Sequence, residues 1–322
     1  MKVLLTFKTF PEQRQLLEQL FEKKSELIFV EDHPAEMKED LISKADILLT
    51  WNPEREGLYT LNNIDSLSNL KFIQLFSAGY DHVKLDMFPS NIKIASNKGA
   101  YAEPMAEHVL AMMLSLSKRL SIYHNKLKDG IFDSIKSLTK PMKGSVVGII
   151  GFGSIGKETA KLLSPFDVKI LGINTTGKTN EDIEFIGTLS DLDYVLKNSD
   201  ILLLSCPLTE ETEGLLNKQK LDLMKEDAIL INVARGQIIN QTDFYYHLKT
   251  HPNFYAGIDA WWIEPFKDGK FEIKHPFFEL PNLLGSPHNS AMVSNALKLA
   301  TEKAANNIKY FINNEDVIGI IK

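Results

Sequence analysis

Cysteine is nearly absent from this chain: Cys206 is the single cysteine among 322 residues. One cysteine cannot form a disulfide within the chain, which is typical of a reducing compartment, and it excludes a metal site built from several cysteines. Long apolar runs are missing too, since none reaches the roughly 18 residues that a membrane-spanning helix requires. We therefore expect a soluble, cytoplasmic protein, and we predict no metal site.

The chain also lacks an excess of positive charge. Lysine and arginine number 36 against 42 aspartate and glutamate residues, which gives a net charge of −6. Nucleic acids and anionic membranes bind clustered positive charge, so this balance argues against both as partners. The remaining composition, 44% hydrophobic and 24% charged, excludes a disordered or low-complexity chain. At about 150 residues per domain, the length predicts two domains.

Short apolar segments alternate with helical patterns over most of the chain. The predicted strands are 3–7, 27–30, 45–50, 72–76, 92–95, 146–150, 168–173, 201–206, 228–233, 255–259 and 282–285. A long helix is predicted from about Pro104 to Leu127, and a last helix over about 291–312. Continuous apolar strands separated by helices are typical of parallel sheets covered on both faces. The pattern predicts an α/β protein built from doubly wound parallel sheets.

The second alternating series begins with a glycine-rich turn. The strand 146–150 leads directly into Gly151-Phe152-Gly153-Ser154-Ile155-Gly156, and a helical pattern follows. This is G-x-G-x-x-G between a strand and a helix, where free N–H groups at the helix start bind the pyrophosphate of a dinucleotide. We predict such a site at Gly151, Gly153, Ser154, Ile155 and Gly156; the alternative is a glycine-rich turn without a ligand.

The end of the next strand bears on which cofactor is bound. Sites that prefer NAD usually carry Asp or Glu there, which binds the ribose 2′-OH. Here the segment is Asn174-Thr175-Thr176-Gly177-Lys178, with no carboxylate to repel a 2′-phosphate and with two hydroxyls and a lysine to bind it. These residues favour NADP(H), and the alternative is a neutral site that uses NAD(H) or either cofactor.

Three side chains downstream of the turn suit one reaction. Arg235, Glu264 and His288 each follow the end of a predicted strand, where ligands of parallel α/β sheets gather. Reduction of a 2-oxo acid requires a cation for the carboxylate, an acid for the carbonyl oxygen and a carboxylate that orients this acid. Each alone would be an ordinary exposed charge. His108, on the long helix, is expected to be a packing histidine whose polar atoms are satisfied.

With these motifs the sequence resembles the D-isomer-specific 2-hydroxyacid dehydrogenase family, over nearly the whole chain. The motifs that carry the resemblance, in the family's order, are Ser77-Ala78-Gly79-Tyr80-Asp81-His82-Val83, Glu103-Pro104-Met105-Ala106-Glu107-His108, the glycine turn, Cys206-Pro207-Leu208-Thr209, Asn232-Val233-Ala234-Arg235-Gly236, the segment 259–265 and Ser286-Pro287-His288. The resemblance implies that Arg235 anchors the substrate carboxylate and that His288, paired with Glu264, is the acid/base.

The resemblance also implies the rest of the site and the assembly. N–H groups of Ala78 and Gly79 would hold the substrate. Trp51 departs from the family's pattern; its place after the strand ending at Thr50 indicates that it closes the substrate pocket, and the alternative is an ordinary packed aromatic residue. The implied cofactor-lining residues are Cys206, Pro207, Thr212, Val233, Ala234 and Asp259, the last facing the nicotinamide carboxamide. The implied domains are Rossmann-like: a flavodoxin-like substrate domain of 1–100 plus 287–322 and a cofactor domain of 101–286, with the active-site cleft between them. The implied homodimer forms through helix 103–126.

The expected activity is hydride transfer between NAD(P)H and a small 2-oxo acid such as glyoxylate or hydroxypyruvate, with a D-2-hydroxy acid as product. Phosphoglycerate and phosphite oxidation are alternatives within the family, whereas Glu264 argues against formate-oxidising members, which carry glutamine there. A nucleotide-sensing corepressor is the alternative from another class, and the complete set of Arg235, Glu264 and His288 disfavours it. The substrate's side chain and the physiological direction do not follow from the sequence.

Overall fold

The computed structural model describes residues 1–21, 25–58 and 67–322. These residues divide into two compact units. One unit comprises Met1–Tyr101 together with Val293–Lys322, and the other comprises Ala102–Met292. Within the described ranges, no helix is long and apolar enough to cross a membrane.

The first unit is a five-stranded parallel sheet with helices packed on it. Its strands are β1 (Lys2–Leu5), β2 (Glu26–Phe29), β3 (Ile47–Thr50), β4 (Phe72–Leu75) and β5 (Lys93–Ala95), in the sheet order β2-β1-β3-β4-β5. Its helices are α1 (Pro11–Phe21), α2 (Lys38–Ser43) and, from the C-terminal segment, α10 (Ala296–Ile312). Small buried residues of α10, such as Ala300 and Ala304, lie in one apolar cluster with residues of β1 and β3. The last helix therefore covers a sheet made by the first hundred residues.

The second unit is a seven-stranded parallel sheet. Its strands are β6 (Val146–Ile150), β7 (Lys169–Ile173), β8 (Phe185–Gly187), β9 (Ile201–Leu204), β10 (Ile229–Asn232), β11 (Tyr255–Ile258) and β12 (Leu283–Gly285), in the order β12-β11-β10-β9-β6-β7-β8. Its helices are α3 (Ala102–Ser117), α4 (Leu120–Lys128), α5 (Ser154–Leu163), α6 (Leu192–Asn198), α7 (Lys218–Leu221), α8 (Gln241–Thr250) and α9 (Pro265–Asp268). Separate apolar clusters pack on the two faces of this sheet. The sheet order reverses between β6 and β9, which is where such folds bind ligands.

The two parallel sheets confirm the predicted α/β class, and three elements differ from the sequence prediction. The edge strand β8 was not predicted, because its three residues are too few to show a pattern. The predicted helix 104–127 is interrupted at Arg119, whose φ is +52°. Lys140 donates its N–H to the Ser117 carbonyl at 2.9 Å, and this tertiary bond takes an acceptor that a continuous helix would use. The last helix begins at Ala296 rather than 291.

Candidate active site

The glycine-rich turn connects β6 to α5 at the centre of the second sheet. Gly151 has a φ of +96°, and a Cβ on it would lie 2.4 Å from the main-chain nitrogen of Cys206. A Cβ on Gly156 would lie 2.9 Å from the Gly151 carbonyl oxygen and 2.9 Å from a methyl group of Ile149. Both positions therefore require glycine, the first for the turn and the second for close packing of the helix on the strand.

The N-terminus of α5 has free donors. The residue before the helix is Gly153, and no side chain caps the first turn. The first N–H groups of any α-helix have no partner inside the helix, and the helix dipole places partial positive charge there. The main-chain N–H groups of Ser154, Ile155 and Gly156 thus meet the requirements of a pyrophosphate. The residues present in this turn fit a dinucleotide.

The segment that follows β7 is organised by the side chain of Asn174. Its Oδ1 accepts the N–H groups of Thr176 at 3.0 Å and Gly177 at 2.8 Å. Its Nδ2 donates to the Lys178 carbonyl oxygen at 2.9 Å. Asn174 therefore shapes this loop, while Thr175 and Thr176 lie exposed on it.

The other predicted cofactor residues are largely buried. Cys206 is buried, and burial raises the pKa of its thiol to about 11. Thr212 donates its hydroxyl to the Pro207 carbonyl oxygen at 2.7 Å and accepts the Thr209 N–H at 2.8 Å, so it closes a turn. Val233 and Ala234 are buried as well. Cys206 and Thr212 follow β9, and Val233 and Ala234 follow β10. All four are therefore buried residues of the second unit that come after its strands.

Arg235 follows β10 in a loop that Asn232 holds. Asn232 accepts the Ala234 N–H at 3.0 Å and donates Nδ2 to the Arg235 carbonyl oxygen at 3.0 Å. Gly236 comes next, and a Cβ there would lie 2.3 Å from the carbonyl carbon of Trp261. The absence of a side chain at Gly236 thus lets the Arg235 loop touch the main chain of the segment that carries Glu264.

The side chains of His288 and Glu264 are joined by a hydrogen bond. The Nδ1 atom of His288 lies 2.7 Å from Oε2 of Glu264, and the other oxygen of Glu264 accepts the Trp261 N–H at 2.6 Å. The Glu264 side chain is 16% exposed and that of His288 is 37% exposed. Since a carboxylate only accepts, Nδ1 carries a proton and Nε2 is left for a ligand. This arrangement suits an acid/base histidine with an orienting carboxylate.

Asp259 lies behind this pair and is fully buried. Its Oδ1 accepts the Ser286 hydroxyl at 2.5 Å and the Asn289 N–H at 3.0 Å, and its Oδ2 accepts the Ser290 N–H at 3.2 Å. Burial opposes ionisation, but the bonds from Ser286 and the segment 289–290 outweigh it and hold the pKa of this carboxyl below its ordinary value. Asp259 therefore fixes the loop that carries His288, and its predicted contact with the nicotinamide stays a prediction.

Two tryptophans, whose role the sequence left open, tie the three loops together. The indole N–H of Trp261 donates to the Ser286 carbonyl oxygen at 2.8 Å, and that of Trp262 donates to the Ile239 carbonyl oxygen at 2.7 Å. A buried indole needs an acceptor for its N–H, so adjacent tryptophans next to Glu264 were a signal that sequence reasoning could have used. His108, expected to be a satisfied packing histidine, forms a hydrogen bond with Ser286 through its ring.

The residues expected to touch substrate in the first unit lie after its strands. Ala78 and Gly79 follow β4 and are half-buried. Trp51 follows β3, and its ring lies 4.8 Å from that of Phe76 and 6.1 Å from that of Phe7. Trp51 is thus a packed aromatic residue in its own unit, and a role in substrate binding stays a prediction.

The doubly wound parallel sheet and the glycine-rich turn between β6 and α5 define a dinucleotide-binding protein of the α/β class. Residues 110–290 match the family model described as D-isomer specific 2-hydroxyacid dehydrogenase, NAD binding domain. Hydroxypyruvate reductase of Thermotoga maritima is 29% identical over 284 residues, covering 86% of this chain and 89% of the relative. Glyoxylate reductase of Thermofilum pendens is 31% identical over 285 residues, covering 80% and 81%. The chain belongs to the D-isomer specific 2-hydroxyacid dehydrogenase family.

Solved structures agree at the level of the fold. An acyclic imino acid reductase in complex with NADPH and D-Arg matches with a TM-score of 0.76 at 22% identity, over 100% of both chains. D-lactate dehydrogenase from Aquifex aeolicus, complexed with NAD and lactic acid, matches with a TM-score of 0.74 at 24% identity, over 100% of this chain and 99% of that one. One fold thus accommodates either nicotinamide cofactor in these two proteins.

Proposed function

We propose that this protein reduces a small 2-oxo acid to a D-2-hydroxy acid with NAD(P)H. The observation that carries the proposal is the 2.7 Å pair between His288 and Glu264 at the ends of β12 and β11, beside the Arg235 loop. Family membership supports the same chemistry, and the two relatives are named hydroxypyruvate reductase and glyoxylate reductase. We therefore take glyoxylate and hydroxypyruvate as the first substrates to test.

In this proposal His288 is the acid. Glu264 accepts a hydrogen bond from Nδ1, which orients the ring with Nε2 toward the substrate. Nε2 then donates its proton to the carbonyl oxygen of the substrate as that oxygen gains negative charge. In the reverse direction the same nitrogen takes the proton of the hydroxyl group. The Trp261 N–H, at 2.6 Å from the second oxygen of Glu264, keeps the carboxylate from turning away.

Arg235 anchors the substrate in the same proposal. Its planar guanidinium can bind a carboxylate through two parallel hydrogen bonds, which sets the orientation of the adjacent carbonyl. Main-chain N–H groups of Ala78 and Gly79 add donors for that carboxylate, a role that rests on the family resemblance. Trp51 is not a standard feature of the family, and in this proposal its place after β3 lets it close the substrate pocket.

The cofactor is held by the glycine turn. When bound, the nicotinamide would supply the hydride that the substrate carbon accepts. Ser154, Ile155 and Gly156 bind the pyrophosphate through their N–H groups, and Cys206, Pro207, Thr212, Val233, Ala234 and Asp259 line the remaining path. The loop 174–178 has no carboxylate and carries Lys178. We propose that NADP(H) is preferred, because the lysine and the two threonine hydroxyls can bind a 2′-phosphate and no carboxylate repels it.

A second copy of the chain is part of this proposal. The segment 120–138 exposes large apolar side chains, and Phe132 and Ile135 are 83% and 85% exposed. Contiguous exposed apolar surface is typical of subunit interfaces. We propose a cytoplasmic homodimer formed through residues 103–126 and this segment. Light scattering of the wild type and of Phe132→Glu tests it, with a dimer expected for the first and a monomer for the second.

The test of the activity is a substrate panel run with NADPH and with NADH. Glyoxylate, hydroxypyruvate and larger 2-oxo acids are assayed for cofactor oxidation, and 3-phosphoglycerate and phosphite for cofactor reduction. Turnover of a 2-oxo acid is the expected result. Tight cofactor binding without turnover of any compound would overturn the enzyme proposal and favour the nucleotide-sensing alternative.

A further inference from the structure

His108 lies at the site although the reaction as described so far does not use it. It is on α3, and its Nε2 lies 3.1 Å from Oγ of Ser286 and 3.8 Å from Oδ1 of Asp259. Ser286 follows β12 and Asp259 follows β11. All three residues belong to the second unit. A helix distant in sequence thus reaches the loop that carries His288.

The direction of the hydrogen bonds along these residues is determined by their chemistry. Asp259 is ionised near neutral pH because its pKa lies below the ordinary value, and a carboxylate only accepts. The proton of the Ser286 hydroxyl therefore points to Asp259, across 2.5 Å. The hydroxyl oxygen is then an acceptor toward His108, so Nε2 of His108 carries a proton. The order of donors is His108, Ser286, Asp259.

The far end of this chain of bonds holds the acid/base loop. Asp259 binds the N–H groups of Asn289 and Ser290 with its carboxylate. Its own carbonyl oxygen accepts the N–H of His288 at 3.0 Å. His288 has a φ of +51°, a left-handed conformation that is unfavourable for a residue with a side chain. The loop keeps this conformation because Asp259 binds it on both sides of His288.

We infer that His108 is a positioning residue for the proposed reaction: by donating to Ser286 it holds Asp259 and, through it, the His288 loop in the geometry that places the imidazole against Glu264. The inference rests on the proposed function for its kinetic consequence. It predicts a loss in kcat, because a shift of the acid by about 1 Å can cost as much as a hundredfold. The binding of NAD(P)H changes little, since the glycine turn is untouched.

The first test is a double-mutant cycle on kcat. His108→Ala and Ser286→Ala are each expected to lower kcat about tenfold, with the KM for NAD(P)H within about twofold of wild type. The double variant is expected to be no slower than the slower single variant, because His108 acts through Ser286. A multiplied loss, about a hundredfold in the double variant, would show that His108 acts by another route and would overturn the inference.

The second test compares His108→Gln with His108→Leu, which both keep Ser286. Glutamine retains an N–H donor near the position of Nε2, and leucine has none. We expect His108→Gln to keep kcat within about threefold of wild type and His108→Leu to lose about tenfold. An equal loss of kcat in both variants would show that His108 is only a packing residue and would overturn the inference. This comparison decides the matter alone should Ser286→Ala fail to fold.

A third readout needs no turnover and separates the inference from the proposed function. Amide hydrogen exchange of the peptide that contains Asn289 and Ser290 reports whether Asp259 holds their N–H groups. We expect faster exchange of this peptide in His108→Leu than in wild type, and no change in His108→Gln. Unchanged exchange in His108→Leu contradicts the inference whether or not the wild type is active. If the exchange results are as expected but the wild type turns over no substrate, only the proposed function is contradicted.

Discussion

His288 has a left-handed backbone conformation, and its side chain forms a hydrogen bond with Glu264. Its left-handed conformation turns the main chain toward Asp259, and its ring meets Glu264. Strained residues persist where the surrounding contacts determine them, and such positions cluster at functional sites. The sequence predicted which residue types meet. The conformation that brings them together depends on Asp259, Asn289 and Ser290, which no motif marks as a set.

Removal of the His288 ring is expected to abolish proton transfer while the cofactor site survives. His288→Ala is predicted to lower kcat about 10²- to 10⁴-fold, the usual contribution of a positioned acid. The dissociation constant for NAD(P)H, measured by fluorescence titration, is expected to stay within about twofold because α5 and its glycine turn are unchanged. A substantial residual kcat in His288→Ala would show that another group supplies the proton.

Asn174 offers a test of cofactor preference. Asn174→Asp places a carboxylate at the end of β7, where it can bind a ribose 2′-OH and repels a 2′-phosphate. The ratio of kcat/KM for NADPH to that for NADH is expected to fall by about tenfold or more, the effect of roughly 1.4 kcal/mol.

The matched control is Asn174→Ser, which loses the same bond to Lys178 without adding charge. If both variants move the ratio equally, loop shape rather than charge sets the preference. If neither moves it, the argument from the 2′-phosphate is wrong.

At the scale of elements, the site consists of three loops that contact one another. The loops follow β10, β11 and β12, and each contact between them is short: Gly236 lies against the Trp261 main chain, and the two indole N–H groups bind the neighbouring loops. The strands were predictable because they are continuous apolar runs that parallel sheets bury. The interruption at Arg119 was not, because the Ser117 carbonyl is taken by Lys140, a partner that sequence periodicity does not contain.

Gly236→Ala is expected to separate the Arg235 loop from the Glu264 segment. The added Cβ would lie 2.3 Å from a main-chain carbon, so one of the two loops must move. A displacement near 1 Å predicts a loss of kcat/KM of about tenfold to a hundredfold.

Gly214→Ala is the control for this substitution, because Gly214 has a φ of +63° and open space where the Cβ would stand. It is expected to lower the free energy of unfolding by about 1 kcal/mol and to leave kcat/KM near that of wild type. Kinetic constants of Gly236→Ala that match those of Gly214→Ala would contradict the proposed contact between the loops.

For the whole molecule, acid sensitivity follows from buried groups. His247 on α8 is buried, and burial, together with the charge of His251, lowers its pKa from 6.5 to about 4. As the pH falls, His247 is therefore protonated near pH 6.5 in the unfolded chain but only near pH 4 in the folded chain. The stability that this group contributes is complete above its unfolded pKa and is lost as the pH falls between these values. The lowered pKa of Asp259 adds to the loss at more acidic pH.

His247→Gln is accordingly expected to flatten the pH dependence of stability. The free energy of unfolding is measured by denaturant titrations between about pH 4 and 6.5. Its slope against pH is predicted to fall by an amount that corresponds to at most about one fewer proton taken up on unfolding. His33→Gln, in the first unit and outside the proposed dimer interface, serves as the control and is expected to leave the slope unchanged. An unchanged slope in His247→Gln would mean that His247 is charged in the folded protein over this range.

The sequence by itself determined the kind of fold, the family and the identities of the candidate site residues. Apolar strand runs, the glycine turn and the spacing of Arg235, Glu264 and His288 are local features, and local features can be recognised along a chain. The tertiary structure alone decided which groups position them. His108 bonds to Ser286 across 178 positions of the sequence, and Ser286 bonds to Asp259 across 27. The fit at Gly236 likewise depends on two loops meeting. Such contacts arise from packing, which brings together residues that share no pattern in the sequence.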